Sequence, residues 1–520
     1  MAEKLAKDLY LHNALKHINI NKGHDFCALF VVNTPVTDNS GIAHCVEHLV
    51  FRASEAFPEA TTLFQLTALA NVKINASTLA NTTYFHCQSP CLESFNLAFN
   101  YLLNGIFNPL FHQEDLNKEI HDGSDHGVIY RELIGIKSQI EHEHQHQKKQ
   151  SADSKKNKAY SYSGESHLIG KLSLSDLQNF HQQHYQARNI TLVTSNADIE
   201  QVSTLISQLP TQPKHLQKII PLDNTDKCSD DNAQQKKYSP EINQLITVYD
   251  QYLQDFNNQK PDNDNSEYHD YSKYSKVKKS ASFIVEQTAL KHAALKKTAL
   301  KQTDKLNLST QRGLTPPLII LSNILEKQFI DDKYINNQYI KNKLTITPLK
   351  QTLPPLFNAL YLKAKMRLNT PSYSNKSNKK QLDKNLVYIY DQHNALLLAS
   401  INKAAQQSVH IASYIISAYP SFLAARCQGL CYAIQAVSIE DSSYLAIYSA
   451  FDCTPKIRQQ TMIQSLLQLS QDISFIQKSL PLAKMKYCQV HSIEIHKLNY
   501  ITPLDISVSL LTLTSTYSNQ

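Results

Sequence analysis

Apolar and polar positions follow two different registers along the first 210 residues. Phe26–Val32 (FCALFVV) is a short continuous apolar run, which predicts a buried strand. Ile42–Phe51 and Thr61–Ala70 carry apolar residues at helical spacing, and Val72–Ser77 and Thr83–Gln88 read as strands across a polar turn. Amphipathic helices follow over Leu92–Ile106 and Val128–His142. Leu174–Tyr185 predicts a helix opened by Ser173 or Ser175, Asn189–Ser195 a strand, and Asp198 the cap of a helix reaching Leu209. Strands and helices mixed in this way point to an α+β fold.

The pattern then fades and returns. Residues 143–163 form a polar insert, and residues 222–282 are rich in Asn, Asp, Gln, Lys and Ser, with a helix expected at Glu241–Phe256. A lysine-rich surface helix is expected over residues 283–307, apolar content recovers over Pro316–Leu368, and residues 369–385 read as a second linker. The last stretch predicts strands at Leu386–Tyr390 and Ala395–Ile401, a helix near Ser408–Ala418, and strands at Cys431–Val437 and Tyr444–Phe451. Helices at Lys456–Leu469 and Leu482–His491 close it, the latter opened by Pro481 at its first turn. The expected organisation is an N-terminal domain over 1–215, a partly disordered low-complexity linker with helices over 216–315, a degenerate middle region over 316–385 and a C-terminal domain over 386–520. The two outer domains share a loose strand–helix–strand–strand–helix order.

Composition changes this picture in one respect. The chain has 520 residues but only 10 glycines, where average usage gives about 36. Glycine-rich linkers and glycine-dense hairpin architectures are excluded, and the remaining glycines mark places where the backbone does something special. Gly41, Gly127, Gly164 and Gly429 are among them. The net charge of +7 is thin over this length and reads as solvated lysine. Nine cysteines without a CxxC pair do not make a disulfide framework; Cys87/Cys91 and Cys427/Cys431 read as buried thiols. With no apolar leader and no apolar run of about 18 residues, the expectation is a cytoplasmic protein without a membrane partner. No phosphate-cradling glycine motif is present, and Lys291–Lys305 lacks interleaved aromatics, so nucleotide chemistry and nucleic-acid binding are not expected.

The strongest chemical signal is His44-Cys45-Val46-Glu47-His48. On a helix, positions i and i+4 lie one turn apart on one face, so both imidazoles can grip one ion, and Glu47 shares that face. This is the HxxEH order, the inverse of the HExxH zinc motif. A catalytic zinc takes three protein ligands, so a third is needed. Glu132 begins a helix 84 positions after His48, although by residue type alone it is an ordinary helix glutamate. A fourth protein ligand, with His121 or His126 as candidates, would instead close the site into a structural one. His142, His144 and His146 alternate in the polar insert and read as a solvated tract.

The flanks of this motif carry a resemblance. Gly41-Ile-Ala-His-Cys-Val-Glu-His-Leu-Val-Phe, then Ile74-Asn-Ala-Ser-Thr and Thr83-Tyr-Phe, then Gly127-Val-Ile-Tyr-Arg-Glu-Leu resemble the insulinase/pitrilysin superfamily in order and spacing. Ser163-Gly-Glu through Asn189-Ile-Thr-Leu is similar to the same family's following segment. Arg426-Cys-Gln-Gly429-Leu-Cys-Tyr432, Ser443-Tyr-Leu-Ala-Ile-Tyr-Ser and Leu482-Ala-Lys-Met-Lys resemble the presequence protease branch. The resemblance implies insulinase-like, processing-peptidase-like domains: an N-terminal zinc domain and a related C-terminal domain joined by the degenerate middle.

It also implies a zinc metalloendopeptidase acting on unfolded oligopeptides, with one zinc per chain. His44, His48 and Glu132 would bind the metal and Glu47 would act as general base. Asn75 and Ala76 would lie on an edge strand that pairs with substrate backbone. Arg426 and Tyr432 would bind substrate and stabilise the oxyanion. Asp125, seven residues before Glu132, would support a ligand or face solvent. The chain departs from the family where Phe51-Arg52-Ala53-Ser54 replaces a glycine-containing stretch and where one of two glycines before Tyr432 is missing. It is also about half the family's length. The alternative is therefore a catalytically degenerate member that binds peptides or a partner subunit, and monomer and homodimer are both compatible with the sequence.

Overall fold

The apolar run ahead of the HxxEH segment becomes the middle of a sheet. The computed structural model describes residues 7–12, 14–20, 25–120, 123, 126–146, 161–207, 313–330, 352–369, 385–439, 443–491 and 493–515. β1 (Lys7–His12), β2 (Leu15–Ile20), β3 (Phe26–Asn33), β4 (Lys73–Thr78), β5 (Thr82–Ser89) and β6 (Ile190–Ser195) form one sheet in the order β1-β2-β6-β3-β5-β4. β2 and β6 run parallel and the other neighbours antiparallel. β3 pairs on both edges, and its residues from Cys27 to Val32 are buried, which is why its apolar run is unbroken.

Among the described residues, eight helices connect or follow the strands of this sheet. α1 (Ile42–Val50) and α2 (Thr62–Leu69) lie between β3 and β4, and α3 (Leu92–Phe107), α4 (Gln113–Glu119), α5 (Val128–His146) and α6 (Ser166–Ile169) follow β5. α7 (Leu174–His184) precedes β6 and α8 (Ile199–Ser207) follows it. Phe30 stacks on Phe99 of α3 at 5.4 Å, and Phe51 meets Phe85 at 5.6 Å, so large aromatics join the helices to the sheet. Ser173 caps α7 in a capping box with Asp176, and the Asp198 Oδ1 accepts from the Glu200 amide at 2.9 Å at the head of α8.

The second half repeats the scheme with fewer strands. After α9 (Pro316–Ile330) and α10 (Asn358–Asn369), β7 (Leu386–Tyr390), β8 (Ala395–Ser400), β9 (Ala433–Ile439) and β10 (Tyr444–Ala450) form an antiparallel sheet in the order β7-β8-β10-β9. α11 (Gln406–Ala418) and α12 (Pro420–Cys427) lie between β8 and β9; α13 (Arg458–Gln471), α14 (Ile473–His491) and α15 (Pro503–Ser515) follow β10. The two halves meet helix to helix, with α2 packed on α11 and α14. Gln65 of α2, fully buried, donates to the Gly313 and Ala418 carbonyls and accepts from the Thr315 amide. The Lys486 ammonium of α14 donates to the Thr67 and Ala68 carbonyls at the end of α2, and burial pushes its pKa down to about 7.

The structure corrects three expectations. Pro481 does not open a helix: α14 begins at Ile473 and Pro481 lies inside it. Phe475, Ile476, Leu480 and Leu482 are all buried along that helix, and their packing outweighs the one backbone hydrogen bond that proline removes. α5 extends to His146, so the polar insert is helical over residues 143–146. β1 and β2 were not expected at all. Residues 147–160 of the insert, Leu209, the Glu241–Phe256 helix, the lysine-rich helix over 283–307, and the side chains of His142, His144 and His146 lie outside the described residues. Among the described residues, no helix is long and apolar enough to cross a membrane.

Candidate metal centre

α1 starts immediately after Gly41, whose φ of +75° a side chain would strain. A Cβ at Gly41 would lie 2.8 Å from the Gly164 Cα, and one at Gly164 would lie 2.7 Å from the Gly41 Cα. The two glycines face each other so that the segment at 161–165 can press against the start of α1. That approach brings the Ser163 carbonyl to 3.1 Å from His44 Nδ1. One turn on, His48 Nδ1 lies 2.9 Å from Glu119 Oε2 at the end of α4. Both imidazoles thus have the ring nitrogen away from the centre tied to an acceptor, which fixes the tautomer that presents Nε2 as a lone-pair donor.

The two Nε2 atoms converge on one carboxylate. Glu132 Oε2, from the first turns of α5, stands 3.4 Å from His44 Nε2 and 3.5 Å from His48 Nε2. Ligands on a tetrahedral zinc with bonds of ~2.1 Å stand about 3.4 Å apart, so these separations fit that ion. The histidine rings are nearly perpendicular (87°) with centroids 4.7 Å apart. His44 Nε2 is buried and makes no hydrogen bond. His44, Glu47, His48 and Glu132 are each 2% exposed or less. Glu47 also brings an oxygen within 4.8 Å of ligand atoms of both histidines. Its Oε2 also accepts from the Thr78 hydroxyl at 2.5 Å, which orients the carboxylate.

Behind His48 lies a buried charge network absent from any local motif. Arg52 Nε donates to Glu119 Oε1 at 2.8 Å and its Nη1 lies 3.1 Å from Asp115. Arg426 Nη1 approaches Glu119 at 3.9 Å, and its guanidinium lies over the Phe64 ring. Burial alone would raise the Glu119 carboxyl, but Arg52, Arg426 and the His48 hydrogen bond together hold it well below the usual carboxylate range. Burial would likewise lower His48, and the hydrogen bonds and charges of Glu119 and Glu132 outweigh it and raise the imidazole. The Cys45 thiol inside the motif is pushed up by burial and then by Glu119, so it is an inert core residue.

The residues singled out from sequence separate into groups. His44, Glu47, His48, Glu132 and Tyr432 come together: burial raises the fully buried Tyr432 hydroxyl, and the nearby Glu132 and Glu47 carboxylates raise it further. Arg426 stands instead behind His48, against Glu119. Asn75 and Ala76 sit on β4, the outermost strand of the sheet, and Asn75 Nδ2 is buried without a hydrogen bond. Asp125 and His121 lie outside the described residues. Among the described residues, the group able to hold a metal does not include His126. Cys87, Cys91, Cys427 and Cys431 are buried free thiols. Sequence reasoning missed Glu119, Arg52, Thr78 and Ser163, because each acts through a contact 31 to 119 positions away in the chain.

An α+β domain with a helix-borne HxxEH group and a converging glutamate defines the inverted-motif class of metallopeptidase-like proteins. The family model for insulinase (peptidase family M16) matches residues 36–160, and the similar proteins include presequence proteases, which supports the insulinase superfamily and its presequence protease branch. Presequence protease 1, chloroplastic/mitochondrial, of Arabidopsis thaliana is 25% identical over 171 residues, covering 31% of this chain and 16% of that one. The mitochondrial presequence protease of Danio rerio is 26% identical over 210 residues, covering 37% and 20%. An uncharacterized protein of Schizosaccharomyces pombe is 26% identical over 172 residues, covering 32% and 16%. The match spans at most about a fifth of the length of these curated relatives.

Proposed function

We propose that this chain is a zinc-dependent endopeptidase acting on unfolded oligopeptides, with His44, His48 and Glu132 as the metal ligands. The observation that carries the reading is the convergence of His44 Nε2, His48 Nε2 and Glu132 Oε2 at 3.4 and 3.5 Å. Zinc held by these residues would supply Lewis acidity and make a water easier to deprotonate. Glu47, oriented by Thr78, would accept a proton from the attacking water and deliver it to the leaving amine. Tyr432, its hydroxyl kept protonated by burial and by neighbouring carboxylates, donates to the developing oxyanion. The substrate adds its backbone to β4 alongside Asn75 and Ala76, an edge with no further strand among the described residues. Arg426 supports the site electrostatically from its position beside Glu119.

A second reading, a non-catalytic family member that binds peptides or a partner subunit, is favoured by one observation: the metal group and Tyr432 are all almost wholly buried, so a substrate must displace part of the chain to reach them. Zinc stoichiometry together with cleavage of a quenched fluorescent peptide separates the two. The expected result is one zinc per chain and cleavage that Glu47→Gln abolishes, about 10³-fold or more, while zinc is kept. Zinc without cleavage by the wild-type chain favours the second reading, and absence of zinc removes the ligand assignment.

A further inference from the structure

The helix that carries Glu132 packs on α4 and α6 of its own half and, along one side, on the other half of the molecule. Its first residue, Val128, belongs to the apolar core of the second sheet, packed with Tyr432, Tyr448 and Phe451. Just before it, the Gly127 amide donates to the Gly429 carbonyl at 3.0 Å. Arg131, the neighbour of Glu132 and buried, donates from Nε to the Phe451 carbonyl at 3.0 Å and from Nη2 to the Asp452 carbonyl at 2.7 Å. One turn further, Gly135 lies under the Phe451 ring so closely that a Cβ there would be 2.1 Å from it. Ser138 Oγ meets His393 Nε2 at 3.1 Å, completing a line of contacts down one side of the helix.

The receiving turn is shaped for this contact. Phe451 adopts φ +48°, a conformation that side chains rarely take, and by doing so aims two successive carbonyls at one guanidinium. Asp452 is locked from behind: Arg458 grips both its carboxylate oxygens at 2.6 and 2.9 Å, and Ser449 and the Thr454 amide also donate to it. A strained turn this firmly braced is a fixed reference, and one face of α5 is registered against it.

We infer that the second half of the chain positions the third metal ligand: Arg131 and Gly135 are positioning residues that set the rotation and depth of α5 on the Phe451–Asp452 turn, so metal affinity depends on the local seat of α5 on that turn. The inference rests on the metal-ligand reading above. It makes the second half part of the metal site, not only a cover for substrate.

The test measures zinc affinity of the full chain by competition with a chromophoric chelator, alongside thermal stability and circular dichroism. Arg131→Ala and Gly135→Ala are expected to weaken zinc binding about tenfold or more, with Arg131→Lys restoring part of it. Gly135→Ala is the sharper variant, because alanine favours the helix and local stability alone predicts no loss. Gln65→Ala, which cuts the interface far from α5, is expected to lower the melting temperature while leaving zinc affinity within about twofold. Zinc affinity unchanged in both α5 variants, or equally weakened by Gln65→Ala, overturns the inference. A wild-type chain that binds no zinc overturns the metal-ligand reading, and this inference with it.

Discussion

The two sheets share a plan and differ in what they do with it. In the first, β3 leads through α1 and α2 to the edge strand β4, and β5 returns between them; in the second, β8 leads through α11 and α12 to the edge strand β9, and β10 returns between them. The helix after the leading strand holds His44, Glu47 and His48 in one half and His410, Ser413 and Tyr414 in the other. On α11, His410 Nε2 meets the Tyr414 hydroxyl at 3.0 Å, and Tyr487 and His491 close over its ring. On α1, the equivalent imidazoles are pinned from behind by the Ser163 carbonyl and Glu119, and both Nε2 atoms are left facing a carboxylate. A helix in the right place is therefore not enough. The chemistry resides in the groups that hold the far side of each imidazole.

The comparison breaks first at the histidines. His44→Ala is expected to abolish stoichiometric zinc binding and cleavage, whereas His410→Ala leaves zinc affinity within about twofold and costs about 1 kcal/mol of stability through lost packing. Zinc titration and denaturant unfolding check both, and zinc loss in the His410 variant would erase the functional distinction between the halves. A smaller effect sharpens the role of the supporting shell. Glu119→Gln keeps the shape but removes the charge that orients His48, and should weaken zinc about 10- to 100-fold, read by the same titration.

The smallest effect concerns the seam between the halves. Lys486, with its pKa lowered to about 7 from 10.5, is largely uncharged in the folded chain above that pH, while the unfolded chain keeps its proton up to about 10.5. Between pH 7 and 10.5 the unfolded state binds more protons, so the Lys486 contribution to stability rises with pH, by up to about 1 kcal/mol per unit. Denaturant unfolding of wild type and Lys486→Met across that window should show a stability difference that moves in favour of the wild type as pH increases. A difference independent of pH would mean that Lys486 keeps its proton at the seam.

What could be read in advance divides along physical lines. β3, α1 and the caps Ser173 and Asp198 were legible because local sequence decides them: a continuous apolar run, a helical repeat, a side chain that reaches its own backbone. β1 and β2 were not, because their short mixed segments become strands only through pairing; His17 and Asn19 are buried there as members of a network with Thr194. Pro481 misled because its usual place at a helix start gave way to tertiary packing. At the site, HxxEH was visible as a spacing, but Glu119 stands 71 positions from His48 in an ordinary acidic helix, and nothing local separates it from its neighbours.

The parallel pairing of β2 with β6 has a consequence in time. Residues 15–20 can take their place in the sheet only when residues 190–195 arrive, and β6 also closes on β3. Loop closure of that length is slow, and a nine-residue helix such as α1 is marginal before it packs, so the histidine pair is fixed only as the Ser163 carbonyl and Glu132 join it. On the proposed metal reading, the complete site would form only in the last steps of folding, after the strands from the two ends of the N-terminal half have met.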